Sequence, residues 1–223
     1  MFDDIAGPPG AERGVLLLHG GGGRGVHERE RGERLRALGF AVYAPDLFRE
    51  ILAAGATGAP GSDRARARAA IGALARDAAE LRRRVRSAWQ KLAGRVHRTY
   101  AVGHCFGGLA ALELARSGAD VEAVVSLHGS LSTSVPAERG QVRARVLACC
   151  GAEDPFCPRS ERATFEDELS AAGADWQLQV FAGAQHGFSV PSVSGPGCAY
   201  DELADRRSWR ALVSLFDEPP RSR

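Results

Sequence analysis

Short apolar runs recur along the chain, and longer segments with apolar residues at every third or fourth position separate them. Runs such as residues 15–18 and 124–127 are apolar without alternation. This pattern is typical of strands that are covered on both faces of a parallel sheet. The predicted strands are residues 14–19, 40–44, 99–102, 122–127, 145–150 and 176–181.

The segments between these runs have the periodicity of amphipathic helices. The clearest case is a long segment in which Ile71, Leu74, Leu81 and Val85 recur at helical spacing, while most arginines fall elsewhere. Residues 52–63 are rich in Gly, Ala and Pro and predict a loop. The predicted helices are residues 28–38, 62–92, 109–116, 158–172 and 200–216.

Strands and helices therefore alternate from one end of the chain to the other. This order predicts an α/β fold, doubly wound, with a mostly parallel sheet between helices and right-handed crossovers. We find no internal repeat and no linker, so residues 1–223 are expected to form a single domain.

Composition and charge exclude several classes of protein. The chain is 44% hydrophobic and 25% charged, with a formal net charge of +2, which favours neither nucleic acid nor an anionic membrane as a partner. No apolar run is long enough for a membrane span, and the first residues lack the pattern of a signal peptide, which predicts a cytoplasmic location. The five cysteines include no Cys-x-x-Cys pair, which argues against a disulfide framework and against a zinc site.

The strongest chemical signal is the sequence Gly-His-Cys-Phe-Gly-Gly at residues 103–108. It lies between a predicted strand and a predicted helix. A Gly-x-nucleophile-x-Gly turn in this context is a nucleophile elbow, here with Cys105 as the nucleophile. Glycines are needed around such a turn because a Cβ there would collide with the neighbouring strand or helix.

A thiol nucleophile needs a base, and the base needs an orienting group. Two later strands end in suitable residues: Asp154 follows residues 145–150, and His186 follows residues 176–181. Because parallel strands bring their carboxyl ends to one edge of the sheet, we expect Cys105, Asp154 and His186 to form a catalytic triad. Glu153 is the alternative acid.

The glycine run at residues 20–23 follows the first strand. We expect Gly20 or Gly21 to donate one backbone N–H to an oxyanion hole, and Phe106 to donate the other. His128, which ends the strand beside the elbow, is a candidate for the substrate pocket. His19 and His104 are expected to be structural, and His27 and His97 to lie on the surface.

The same run also matches a dinucleotide fingerprint. Gly20, Gly22 and Gly25 have its spacing, and Asp46 follows a second strand. This alternative leaves the elbow, Asp154 and His186 without a role, and Asp46 lies beyond Pro45 instead of at the strand end.

The chain resembles the dienelactone hydrolase family of α/β-hydrolases. The residues that carry the resemblance are 43–48 (YAPDLF), 103–108 (GHCFGG), 151–155 (GAEDP), 186–188 (HGF) and 200–204 (YDELA), the last leading into a helix that contains Trp209. The resemblance covers nearly the whole chain. It implies a Cys-His-Asp triad, no metal or organic cofactor, and hydrolysis of lactones or esters.

Two departures from the family pattern concern the substrate. Members that open dienelactone carry a Glu just after the first core strand, where this chain has residues 20–23, all glycine, and an Arg four residues after the catalytic His, where this chain has Val190. Both departures weaken the case for dienelactone itself. Phe188 and Arg49 are further candidates for the pocket, and Arg64 or Arg66 are alternatives for holding a carboxylate.

The sequence thus predicts an enzyme that cleaves a small-molecule ester or lactone through a covalent acyl-enzyme. An acyltransferase, cyclase or thioesterase that uses the same triad is the alternative, followed by a non-catalytic binding protein. The expected state is a monomer or a homodimer.

Overall fold

The computed structural model describes residues 4–48, 69 and 71–220. Within them, helices separate most of the successive strands. The strands are β1 (Arg13–Leu18), β2 (Ala41–Tyr43), β3 (Arg98–His104), β4 (Ala123–Leu127), β5 (Arg145–Gly151) and β6 (Trp176–Phe181). The helices are α1 (Val26–Ala37), α2 (Ala78–Ala93), α3 (Phe106–Arg116), α4 (Arg159–Ala171) and α5 (Glu202–Phe216).

The six strands form one sheet in the order β2-β1-β3-β4-β5-β6. Every neighbouring pair is parallel. The order reverses between β1 and β3, so the chain winds outward in both directions from the centre of the sheet. The prediction of a doubly wound, parallel α/β fold is therefore confirmed.

The core has two parts, one on each face of the sheet. Leu16 and Leu18 of β1 point into a cluster that α2, α3 and α4 cover. Val15 and Leu17 of the same strand point into a second cluster, which α1 and α5 cover. Both faces are thus buried, which explains why the central strands are apolar at nearly every position.

The long helix predicted over residues 62–92 is interrupted, which corrects that prediction. Residues 71–76 are helical, but Asp77 leaves the helical conformation (φ −112°, ψ 81°), and its side chain caps the start of α2 by accepting the N–H of Glu80 at 3.0 Å. Residues 62–68 and the predicted loop beyond residue 48 lie outside the described part of the chain. None of the described helices is long and apolar enough to cross a membrane.

Candidate active site

Cys105 lies at a sharp turn between β3 and α3. Its φ of 52° and ψ of −117° are strained for a residue with a side chain. Two glycines allow the turn to pack. A Cβ on Gly103 would lie 1.9 Å from the carbonyl oxygen of Gly107, and a Cβ on Gly107 would lie 2.1 Å from that of Leu18. The chain thus presents the thiol at the carboxyl edge of the sheet.

His186 connects Cys105 to Asp154. Its Nε2 lies 3.1 Å from the Cys105 Sγ, and its Nδ1 lies 2.9 Å from Oδ2 of Asp154. The other carboxylate oxygen of Asp154 accepts the N–H of Phe156 at 2.8 Å, which fixes the carboxylate in a fully buried position. An ionised carboxylate only accepts, so Nδ1 carries a proton and Nε2 faces the sulfur. The structure therefore brings the three predicted residues together.

The surroundings of these residues change their proton affinities. Burial would raise the pKa of the Cys105 thiol, but the hydrogen bond and charge of His186 and the backbone N–H groups of Gly21 and Phe106 outweigh it, so the pKa is lowered. Burial would lower the pKa of His186, but hydrogen bonds to Asp154 and Cys105 raise it to about 10. Both shifts favour a thiolate beside an imidazolium at neutral pH.

His19 fixes the glycine loop beside the thiol. Its Nε2 accepts the N–H of Leu47 at 3.0 Å, so the proton is on Nδ1, which donates to the carbonyl oxygen of Gly20 at 2.8 Å. The C=O and N–H of a trans peptide point in opposite directions. Holding the Gly20 carbonyl therefore aims the N–H of Gly21 away from His19 and toward the Cys105 sulfur.

A pocket of about 700 Å³ opens at Cys105 and His186. Loop glycines, histidines, two acidic residues and a short apolar segment line it. The lining residues are Gly20, Gly21, Gly22, Gly23, Gly25, Val26, His27, Glu28, Glu30, His104, Cys105, His128, His186, Gly187, Val190, Pro191, Ser192 and Val193.

His128, the candidate on the strand beside the elbow, lines this pocket. It has a positive φ of 41°, its Nε2 lies 2.8 Å from the Ser189 Oγ, and its ring lies 5.2 Å from that of His186. His27 also lines the pocket. The expectation that His27 is a surface residue is therefore corrected, because its ring is half-buried edge-on against the buried ring of His104 at 4.5 Å.

Two other pocket candidates lie elsewhere or are not described. Phe188 is fully buried between Phe181 and His128 in the second core cluster, so it supports the pocket from behind and does not line it. This corrects the expectation for Phe188. Arg49, Arg64 and Arg66 lie outside the described residues.

Asp46, the acidic residue of the dinucleotide alternative, has local partners. Its side chain accepts the N–H of Phe48 at 2.9 Å and pairs with Arg24 at 3.5 Å. The hydrogen bond from Nδ1 of His186 is accepted by Asp154 and not by Glu153, the alternative acid. In the described part of the chain, no group of three or more His, Cys, Asp or Glu side chains is arranged to hold a metal ion.

The parallel sheet and the strand-turn-helix at Cys105 define an α/β-hydrolase fold. The chain belongs to the dienelactone hydrolase family, because the model of that family matches residues 4–219. Membership makes it a hydrolase that acts on esters or lactones.

Solved structures of related proteins support this assignment. The chain is similar to m3DLH, with 35% identity, a TM-score of 0.83, and coverage of 96% of this chain and 89% of that one. It is also similar to P91, a dienelactone hydrolase-like promiscuous phosphotriesterase from metagenomic libraries. There the identity is 33%, the TM-score 0.81, and the coverage 95% of this chain and 87% of that one.

Similarity to a further relative extends over about half of the chain. The uncharacterized protein K02A2.1 of Caenorhabditis elegans is 31% identical over 124 residues, which are 53% of this chain and 78% of that protein.

Proposed function

We propose that this hydrolase cleaves a small-molecule ester or lactone with Cys105 as the nucleophile, His186 as the acid and base, and Asp154 as the group that orients His186. The observation that carries the proposal is the continuous contact from Sγ through the imidazole to the carboxylate, at 3.1 and 2.9 Å. A nucleophile in contact with a base that a third group orients is the arrangement that acyl transfer requires.

The first step forms a thioester. The Cys105 thiolate attacks the carbonyl carbon, and the resulting oxyanion accepts hydrogen bonds from the N–H groups of Gly21 and Phe106. When the intermediate collapses, the carbon–oxygen bond to the leaving group breaks. The imidazolium of His186 gives its Nε2 proton to that oxygen, so an alcohol or enol departs.

Acylation then prepares His186 for the second step. The acylated sulfur is neutral, so the hydrogen bond and charge of Cys105 no longer raise the pKa of His186. The neutral imidazole can accept a proton from water, whose oxygen attacks the thioester carbon. The carbon–sulfur bond breaks, the acid leaves, and the thiolate–imidazolium pair is restored.

The identity of the nucleophile favours certain substrates. A thiolate leaves a tetrahedral intermediate more readily than an ordinary alkoxide does. Substrates with a good leaving group, such as enol esters, therefore suit Cys105 better than simple alkyl esters.

The proposal is tested by trapping the acyl-enzyme. Intact-mass and peptide analysis after brief mixing with an aryl ester should show one added acyl group on Cys105. Cys105→Ala should form no adduct and lose turnover by at least about a thousandfold. The matched control is Cys198→Ala, which removes a half-buried thiol outside the pocket lining and should keep adduct formation and turnover. Full turnover by a folded Cys105→Ala protein would refute the nucleophile.

Acyl transfer remains the alternative use of the same site. If an alcohol or amine is the natural acceptor, adding one to the trapped acyl-enzyme should give the transfer product in preference to the acid. If water is the acceptor, the acid should dominate at millimolar acceptor.

The similarity to P91 favours a second activity. Since 33% identity extends over 95% of this chain, we propose that the same thiolate also attacks phosphotriesters, with the phosphoryl oxygen held by Gly21 and Phe106. Release of nitrophenol from an aryl phosphotriester, lost in Cys105→Ala, would support this activity. No release above the rate of the buffer would refute it.

A further inference from the structure

The charges around the pocket carry information about the substrate that the catalytic residues do not. Two of the described lining residues, Glu28 and Glu30, are acidic, and none is Lys or Arg. The Cys105 and His186 pair contributes no net charge as thiolate and imidazolium. The described lining is therefore negative overall.

The start of α1 does not cancel this negative charge. A helix N-terminus carries a partial positive charge that attracts anions. Here the Oε2 of Glu28 accepts the N–H of Gly25 at 2.8 Å and occupies that position. An anionic substrate group would have to compete with a carboxylate of the protein for the helix end.

The three lining histidines do not cancel it either. Burial lowers the pKa of His27 to about 4, and it lowers the pKa values of His104 and His128 well below the usual range. All three are neutral at neutral pH. Arg31, next to them, already binds Asp205 at 2.6 Å and the carbonyl oxygen of Ser189 at 2.7 Å, so its charge is compensated.

Part of the pocket lining is apolar. Val26 is 64% exposed at the start of α1, although it is a β-branched apolar residue. It shares the pocket lining with Val190, Pro191 and Val193. An apolar part of a substrate would cover Val26 and remove it from water, which is a favourable contribution to binding.

We propose that this pocket selects uncharged esters or lactones with an apolar body and discriminates against substrates that carry a carboxylate, and that Glu30 is a residue that determines this specificity. The proposal rests on the proposed function, because it concerns the substrate of the same site. Glu30 is the suitable residue to test because it is exposed, whereas Glu28 is buried and caps α1.

The experiment compares two matched substrates, the para-nitrophenyl esters of para-ethylbenzoic acid and of terephthalic acid. They share ring and leaving group and differ in a neutral ethyl group against a carboxylate. After correction for spontaneous hydrolysis, the neutral ester should have a kcat/KM at least about fivefold higher at low ionic strength. High salt should reduce this ratio because it screens the charges.

Reversing the charge at position 30 should shift the ratio. Glu30→Lys should raise the relative kcat/KM of the carboxylate ester by about fivefold, and Glu30→Gln by about twofold. Glu33→Lys is the matched control, because Glu33 is exposed on the same helix but does not line the pocket, and it should change the ratio clearly less than Glu30→Lys does.

The outcomes separate the two proposals. Hydrolysis of neither ester, with no adduct on Cys105, would refute the proposed function. Hydrolysis of the carboxylate ester at an equal or higher rate would overturn the specificity proposal alone. A ratio that Glu30→Lys and Glu33→Lys change equally would also overturn it.

Discussion

Cys105 has a backbone conformation that a residue with a side chain adopts only under constraint. The constraint comes from close backbone packing: Gly103 lies against the backbone of Gly107, and Gly107 lies against the backbone of Leu18. Such strain typically costs about 1–3 kcal/mol, which the surrounding packing must supply. This conformation directs the thiol away from the helix that follows and toward His186.

Gly103→Ala should therefore destabilise the fold. The added Cβ would lie 1.9 Å from the oxygen of Gly107, and backbone cannot move aside as a flexible side chain can. We expect the free energy of unfolding, measured by denaturant titration, to fall by about 3 kcal/mol or more. Gly22→Ala is the control, since a Cβ there meets nothing within 4 Å. Equal stability of the two variants would contradict this account of the elbow.

At this scale the sequence predicted which side chains meet at the edge of the sheet better than it predicted which residues line the pocket. Cys105, Asp154 and His186 each follow a strand, so topology alone brings them to one edge. The burial of His27 depends on how α1 packs over His104, and no local pattern in the sequence reports that packing. Phe188 follows the catalytic His closely, but its side chain points into the core.

Among the elements, the loops after β1 and β2 are held together by His19. Burial lowers the pKa of His19, so the ring stays neutral and can both accept from Leu47 and donate to Gly20. These two bonds hold the peptide whose Gly21 N–H faces the Cys105 sulfur, and we expect His19 to act as a positioning residue.

Two variants of His19 separate this role from packing. In His19→Asn the amide nitrogen can replace Nδ1 and keep the bond to Gly20, whereas His19→Leu keeps neither bond. We expect kcat for a neutral ester to fall by about ten- to a hundredfold in His19→Leu, with a smaller loss in His19→Asn and similar KM values. If the loss of kcat in each variant simply follows its loss of stability, with no advantage for His19→Asn, His19 has only a packing role.

The sheet was predictable at this scale because most strands are separate apolar runs. In β6 apolar residues alternate with Gln177 and Gln179, and its boundaries match the prediction. The break at Asp77 was missed because the apolar spacing continues across it. The available signal was Asp77 followed three residues later by Glu80, a pattern typical of a helix start.

At the scale of the whole molecule, a buried ionic cluster joins three helices on one face of the sheet. Arg116 of α3 pairs with Glu113 at 3.0 Å and with Glu168 of α4 at 2.8 Å, and it donates to the carbonyl oxygen of Leu131. Arg82 of α2 binds the other oxygen of Glu113 at 2.7 Å. The sequence does not predict this cluster, because its members on the three helices are distant in the chain.

Arg116→Met should be strongly destabilising. It leaves the carboxylate of Glu168 buried without its ion-pair partner, which typically costs about 3–5 kcal/mol. Arg206→Met is the matched control, because Arg206 is exposed and its pair with Glu202 spans one helical turn, so we expect a change within about 0.5 kcal/mol. Thermal and denaturant unfolding measure both, and similar losses would show that the cluster is not what joins the helices.

The most direct test of the central claim is alkylation of Cys105 across pH, followed by peptide mass analysis. The lowered pKa of Cys105 and the raised pKa of His186, about 10, both favour the thiolate beside the imidazolium. Labelling of Cys105 by iodoacetamide should therefore be faster at neutral pH than labelling of Cys198, and its rate should reach a plateau at a lower pH than that of an ordinary thiol. In His186→Ala the rate at neutral pH should drop by about tenfold or more and rise with pH as for an ordinary thiol. Labelling of Cys105 that is no faster than that of Cys198, and unchanged by His186→Ala, would contradict the account.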